Sequence, residues 1–356
     1  MRVFITGVCG FVGSSLAESL MATFSGMEIV GIDNLCRSGS ELNRSRLNAL
    51  SVEVRHGDIR CRSDIETIPA AEWVIDCAAL PSVLAGTDGH GSARQLVEHN
   101  LIGTLNLLDY CRQHNSGLIL LSTSRVYSIR DLCSLPLIAE DGAFRLQSEE
   151  LQIPHVGPEG LTEQFSTTPP ISLYGATKRA SEIMAEEFSE AFGFPLRIDR
   201  CGVIGGAGQF ARPDQGIFSF WVHSFAVRRP LKYIGFGGTG HQVRDVLHPR
   251  DLSRLIAAQI KAGDDKSKPR LMHVSGGLTS ARSLKQITQW CESRFSSHAI
   301  DVDCTPRQFD VPWLVLDSGL AKRAWGWEPT ISTENILSEI ADHATDNPDW
   351  LMTTSG

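Results

Sequence analysis

Tyr174 and Lys178 stand four residues apart in "YGATK", and Thr123 closes the upstream run "LILLST". On a helix, residues i and i+4 share a face, so the phenol and the ammonium point the same way. A free phenol has a pKa near 10, too high for a base at neutral pH. A nearby cation favours the ionised form, and a shift of about three units needs roughly 4 kcal/mol of differential stabilisation. Tyr174 so tuned takes a proton from a substrate hydroxyl, while Thr123 hydrogen-bonds the same oxygen and orients it. Many Tyr-x-x-x-Lys pairs are only helix surface, so the reading depends on the surroundings.

The N-terminal stretch "TGVCGFVGSSL" carries Gly7, Gly10 and Gly13, with Phe11 and Val12 among them, in a loop between a strand and a helix reading "SSLAESLMA". Glycines there allow a tight turn and close approach of backbone to a pyrophosphate, whose charge meets the free N–H groups of the helix start. Asp33, followed by Asn34, ends the next strand twenty residues past Gly13. Its carboxylate is placed to accept from both ribose hydroxyls and repels a 2′-phosphate, which favours NAD over NADP. Arg37 is the residue a 2′-phosphate would use. In "GDIR", Asp58 and Ile59 fall where an adenine edge is bonded and covered, and Ala78 and Ala79 are small where backbone passes the cofactor. The positive nicotinamide then adds a second cation beside Tyr174, and hydride leaves as the proton does.

The elements that must position these groups alternate. Strand-like runs at Arg2–Thr6, Glu28–Asp33, Val52–Asp58, Trp73–Ala79 and Gly117–Thr123 are separated by helical patterns, the longest being "RQLVEHNLIGTLNLLDYCRQH". A helix from Tyr174 to about Phe192 precedes the strand "LRIDRCGVIG". Such alternation predicts a doubly wound α/β fold with a parallel sheet. The stretch 130–170 shows no clear periodicity. The expected division is an NAD-binding Rossmann domain at 1–205 plus about 237–275. A smaller, partly interleaved substrate lobe takes about 206–236 and 276–356.

A chain of 356 residues with a formal net charge of −8 argues against nucleic-acid binding but not against a nucleotide ligand. No apolar run reaches the roughly 20 residues of a membrane span. Nine cysteines without CxxC pairs predict neither metal nor disulfides, and with no signal segment they predict a cytoplasmic protein.

In chain order, this constellation resembles the extended short-chain dehydrogenase/reductase family, the NAD-dependent nucleotide-sugar epimerases and dehydratases. The resemblance implies Thr123, Tyr174 and Lys178 as the catalytic trio and Asn100, in "HNLIGT", as a cofactor-side residue. It implies Arg244 and Arg307 as holders of a substrate diphosphate, which suits guanidinium chemistry, and Ser124, Arg125 and Gln209 as further substrate contacts. The family's 4,6-dehydratases read Thr-Asp-Glu where this chain has Thr123-Ser124-Arg125, so epimerisation is favoured over water elimination. "GGAGQFARPDQGIFSFWV" and "GFGGTGHQVRDVLHPRDL" resemble the group of CDP-tyvelose (CDP-paratose) 2-epimerases. That implies a CDP-3,6-dideoxyhexose inverted at C2. Another NDP-sugar, a net reductase and a non-catalytic NAD-binding member stay open. The chain departs from the family pattern at Pro312, at Ser128 and in "IDCAA", which lacks a histidine. A homodimer or higher homo-oligomer is implied, through helices near 95–114 and the Tyr174 helix.

Overall fold

The computed structural model describes residues 1–87, 92–147 and 153–354; part of the irregular 130–170 stretch, residues 148–152, lies outside them. Seven strands form the central sheet: β1 (Arg2–Thr6), β2 (Glu28–Asp33), β3 (Glu53–His56), β4 (Trp73–Asp76), β5 (Gly117–Thr123), β6 (Leu196–Cys201) and β7 (Leu271–Val274). Their order is β7-β6-β5-β4-β1-β2-β3. Every neighbouring pair is parallel. This is the doubly wound, Rossmann-type α/β fold, and its order reverses between β1 and β4, where a crevice opens at the carboxyl ends of the strands.

Both faces of the sheet are covered, which is why its strands read as near-continuous apolar runs. Val3 and Ile5 of β1 pack with Leu16 and Leu20 of the helix Phe11–Thr23 and with Ile256 and Ile260 of the helix Pro249–Ala262. Phe4, on the other face, joins Leu107 and Leu108 of the helix Gly103–His114 and Ala185 of the helix Ser172–Phe192. The ends of β1 and β4 are pinned together: the Thr6 hydroxyl donates to Asp76 at 2.7 Å and accepts from the Cys77 and Ala78 N–H groups at 3.1 and 3.0 Å.

Several elements differ from the periodicity reading. β3 and β4 are shorter than expected, so Asp58, Ala78 and Ala79 lie in the loops that follow them. The long helical run contains a π-helical turn at Glu98–Ile102. "LRIDRCGVIG" is not one strand: β6 stops at Cys201, and Val203–Ile204 pairs with Val243–Leu247 in a different sheet. The switch needs glycine, because a Cβ on Gly202 would lie 2.3 Å from the Ser275 Oγ and 2.5 Å from an Asp245 oxygen.

Val243–Leu247 also pairs with Ala281–Ser283 and Trp313–Leu314, and Leu231–Ile234 pairs with Ile300–Asp303. Over these strands Phe218, Trp221 and Phe225 of the helix Ile217–Ala226 pack with Ile287, Ile336 and Ile340 in a separate core. Among the described residues no helix is long and apolar enough to cross a membrane, and all nine cysteines are free.

Candidate active site

The turn after β1 is built by its glycines. Gly7 has φ +60, and a Cβ on Gly13 would meet the Gly7 carbonyl oxygen at 2.2 Å, so the helix start packs directly on the turn. Asp33 is buried at the end of β2 and is held from both sides: the Cys9 N–H donates to one oxygen at 2.9 Å and the Leu35 N–H to the other at 2.8 Å. Burial raises its pKa, with the Leu35, Cys9 and Gly10 N–H groups opposing. Its orientation beside the glycine turn suits a ribose.

Asp58 is engaged elsewhere. The Arg60 guanidinium donates to both its oxygens, at 2.9 and 2.7 Å, and the Asn34 amide donates at 2.9 Å. Burial pushes Asp58 up, but these donors outweigh it and hold the carboxyl well below the usual range. Arg37 donates to the Phe210 carbonyl; burial, with Arg212 adding, lowers its pKa to about 10. Phe210 stacks on Trp350, whose indole N–H donates to the Gln209 carbonyl at 2.9 Å. Arg37 and the C-terminal helix Trp350–Thr354 therefore hold the Gln209 loop over the β2 end.

Tyr174 and Lys178 are buried, one turn apart on the helix Ser172–Phe192, and Thr123 ends β5 opposite Cys201 of β6. What lets the helix approach is Gly175, whose Cβ would fall 2.2 Å from the Arg125 carbonyl oxygen. Sequence reasoning missed it, although a glycine inside a helix is itself a signal of close packing. Burial pushes Tyr174 up to about 12; the Thr123 side chain opposes, Cys201 adds to the rise, and Arg125 is the cation that lowers it. The Lys178 ammonium makes no hydrogen bond or ion pair with the described residues, so its donors are open to a ligand.

A buried network backs the helix. Glu182, one turn beyond Lys178, takes a bidentate bond from Arg200 of β6 at 2.9 and 2.7 Å, one from Arg179 at 3.0 Å, and one from the Ser122 hydroxyl. Arg200 also donates to the Tyr127 hydroxyl at 3.1 Å. Asn100, in the π-helical turn, accepts from the Leu80 N–H at 2.8 Å and donates to the Leu80 carbonyl at 3.2 Å and the Thr177 hydroxyl at 3.1 Å. It ties the loop after β4 to the Tyr174 helix.

One cavity of about 500 Å³ opens at the β1/β4 crevice. Its walls include Gly7, Gly10, Phe11, Val12, Gly13, Asp33, Asn34, Ile59, Ala78 and Ala79 on one side, then Tyr174 and Lys178. Thr123, Ser124, Arg125, Gln209, Arg244 and Arg307 complete it. Of the residues expected at the site, Asp58 and Asn100 alone are not in the wall, since their side chains are committed to neighbours behind it. Arg244 is held by the Val243 and Val311 carbonyls, both at 2.7 Å, and by Asp310 at 2.8 Å; Arg307 donates to the Pro213 carbonyl at 3.3 Å. Pro312 offers its carbonyl to the Val243 N–H at 2.9 Å, and Ser128 caps the helix Ile129–Cys133 at an ordinary negative φ of −59, so no glycine is needed there. The wall has seven Lys and Arg against three Asp in a chain of net charge −8, a local field suited to diphosphates.

Comparison with known proteins agrees with this geometry. Residues 3–275 match the model of the NAD dependent epimerase/dehydratase family. The chain is 27% identical to CDP-paratose 2-epimerase of Salmonella typhi, over 96% of this chain and 98% of that protein. It is 26% identical to UDP-glucuronate 4-epimerase of Thermodesulfobacterium geofontis, over 96% of each. The crystal structure of UDP-glucuronic acid 4-epimerase from Bacillus cereus, in complex with UDP-glucuronic acid and NAD, has the same fold, with TM-score 0.77, 22% identity and coverage of 97% of this chain and 99% of that one. With the glycine turn, the oriented Asp33 and the Tyr174–Lys178 pair in one cavity, the match identifies an NAD-dependent enzyme: the chain belongs to the NAD dependent epimerase/dehydratase family.

Proposed function

We propose that the protein inverts C2 of a CDP-linked 3,6-dideoxyhexose, CDP-paratose or CDP-tyvelose, through transient oxidation to a keto-sugar and re-reduction. The observation that carries the reading is the Thr123-Ser124-Arg125 segment beside buried Tyr174: it holds a hydrogen-bonding residue and a base, but no acidic pair for water elimination. The 27% identity to a CDP-paratose 2-epimerase supports the sugar, although 26% to a UDP-glucuronate 4-epimerase is close behind.

In this reading the glycine turn, Asp33 and Lys178 hold the cofactor. NAD bound there supplies a reversible hydride acceptor. Thr123 orients the C2 hydroxyl, and Tyr174 takes its proton and later returns it. Arg244 and Arg307 face the diphosphate, and residues of about 206–236 and 276–356 form the nucleotide-sugar lobe. A ketone at C4 would not acidify the C2 hydrogen, which lies β to it, so direct oxidation at C2 is the simplest route and no further base is required.

The apolar Val97 and Ile102, just before and at the end of the π-helical turn, and Ile183 on the Tyr174 helix are exposed. We take these helices as a homodimer face. The free cysteines support a cytoplasmic setting. The test is a panel of CDP-paratose, UDP-glucose, UDP-glucuronate and dTDP-glucose, each incubated with the purified protein without added NAD and resolved by anion-exchange chromatography. Conversion of CDP-paratose alone supports the reading. Conversion of another sugar, or release of NADH in step with product, replaces it with a different epimerase or a reductase.

A further inference from the structure

The loop between Ile204 and Ile217 leads into the second core, yet it is fastened to the cofactor side of the crevice. Its start rests on the helix after the glycine turn: a Cβ on Gly206 would lie 3.4 Å from the Phe11 ring. Its middle reaches the loop after β2. There Phe210 is buried, and a Cβ on Gly39 would meet its ring at 3.0 Å and the Thr354 methyl at 2.7 Å. These two seats belong to the segments that hold the Asp33 carboxylate through the Cys9 and Leu35 N–H groups. The loop is also stiff. Arg212 and Gln215 exchange backbone bonds at 2.8 and 3.1 Å, the Gln209 amide donates to the Ile204 carbonyl at 2.8 Å, and the Ser219 hydroxyl donates to the Gly206 carbonyl at 3.2 Å. Two further side chains fasten it from outside. Arg37 donates to the Phe210 carbonyl, and Trp350 stacks on the Phe210 ring at 5.7 Å while its indole N–H donates to the Gln209 carbonyl at 2.9 Å. His343 braces Trp350 edge-on at 4.7 Å.

We propose that residues 205–216 are a strap over the ribose end of bound NAD, with Arg37 and Trp350 as its anchors, so that the cofactor enters and leaves only when the strap lifts. The proposal rests on NAD lying in this crevice with its ribose at Asp33, and it deepens the epimerase reading. Epimerisation returns hydride from the same cofactor that took it, whereas a net reductase must exchange its cofactor at every turnover. Phe210, Arg212 and Pro213 of the strap share the cavity wall with Asp33, Cys36, Arg37 and Ser40. Arg37 is engaged by a strap carbonyl rather than offered to a 2′-phosphate. Trp350 separates closure from contact: it holds the strap from behind and is not among the residues of the cavity wall. Entry is slowed by the fraction of molecules that are closed, and departure needs the same opening. Weakening an anchor therefore speeds both. Losing a residue that merely touches the cofactor speeds departure alone.

The NAD-loaded protein is mixed with a large excess of deuterated NAD and desalted at intervals, and the two cofactors are counted by mass spectrometry of the denatured protein. This gives the release rate; equilibrium dialysis gives Kd, and release rate divided by Kd gives the entry rate. Trp350→Phe keeps a ring on Phe210 and loses the N–H bond, Trp350→Leu loses both, and Arg37→Met loses the other anchor. Gly193→Ala, at the far end of the Tyr174 helix, controls for general loosening, and circular dichroism checks each fold. Should Trp350→Leu fail to fold, Trp350→Phe and Arg37→Met carry the test. Release and entry are both expected to rise about tenfold in Trp350→Leu and Arg37→Met, and by less in Trp350→Phe, the effect of one bond or one ring stack on the opening equilibrium. Gly193→Ala is expected to keep the parent's rates. Parent rates in every anchor variant, faster release with unchanged entry, or an equal gain in Gly193→Ala overturns the proposal. No sugar is present, so a failure to epimerise CDP-paratose leaves the strap standing, and unaltered exchange in a working epimerase removes the strap alone.

Discussion

At the residue scale, the proposed chemistry rests on a phenol that the protein does not ionise by burial. Burial raises Tyr174 to about 12, so ionisation must come from cations arranged around it. Tyr174→Phe removes the proton acceptor and keeps the ring, and turnover is expected to fall at least 10³-fold, at about the upper range for general-base loss. NAD should still co-purify, read by mass spectrometry of denatured protein; full activity in this variant would remove Tyr174 from the mechanism. Glu182 belongs to the same scale. It is wholly buried and neutralises Arg200, so Glu182→Gln leaves a buried guanidinium underpaired and should cost about 3–5 kcal/mol in urea unfolding. The Tyr-Lys spacing, the glycine turn and Asp33 were legible because each is a local pattern. Glu182 was not, because its meaning depends on an arginine from strand β6; a hint was that Arg200 is one of three charged residues in "LRIDRC", a strand buried in the sheet.

At the element scale, the proposed catalysis depends on how closely one helix approaches one strand end. Gly175 sets that distance, and Gly175→Ala should lower kcat by at least about tenfold, since displacements near 1 Å at a reacting centre cost on the order of 10²-fold. Gly193, at the other end of the same helix with φ +79, has nothing within 4 Å of a Cβ. Gly193→Ala should therefore lower stability by about 1 kcal/mol and leave kcat unchanged. Equal kcat losses would show that helix stability, not the approach to Arg125, is what matters. The parallel strands were readable from apolar runs. The break at Gly202 was not, because it is dictated by Ser275 and Asp245 from distant segments. The π-helical turn was hidden for a similar reason: the Asn100 bonds to Leu80 and Thr177 that accompany it are tertiary.

At the scale of the whole molecule, a negatively charged chain concentrates basic groups in one crevice between two cores. The second core brings its own pH dependence. His223 is buried there, and burial, with His343 adding, lowers its pKa to about 4. A histidine neutral in the fold and titrating near 6.5 when unfolded contributes stability above that pH. The contribution is lost as pH falls from 6.5 toward 4, by up to roughly 3 kcal/mol. Asp199 and Asp245, raised to about 7 and 6, act in the opposite direction as pH rises from about 4. The difference between parent and His223→Gln in unfolding free energy isolates the histidine: it should shrink from pH 7 to pH 5, and a constant difference would contradict the assignment.

The central claim, direct hydrogen transfer at C2, is tested most directly by proton NMR of the purified protein with CDP-paratose in D₂O. The account predicts conversion to the C2 epimer with no deuterium at C2 or C3. Deuterium at either carbon would contradict it, requiring an enolising route and an acid/base residue beyond Thr123, Tyr174 and Lys178.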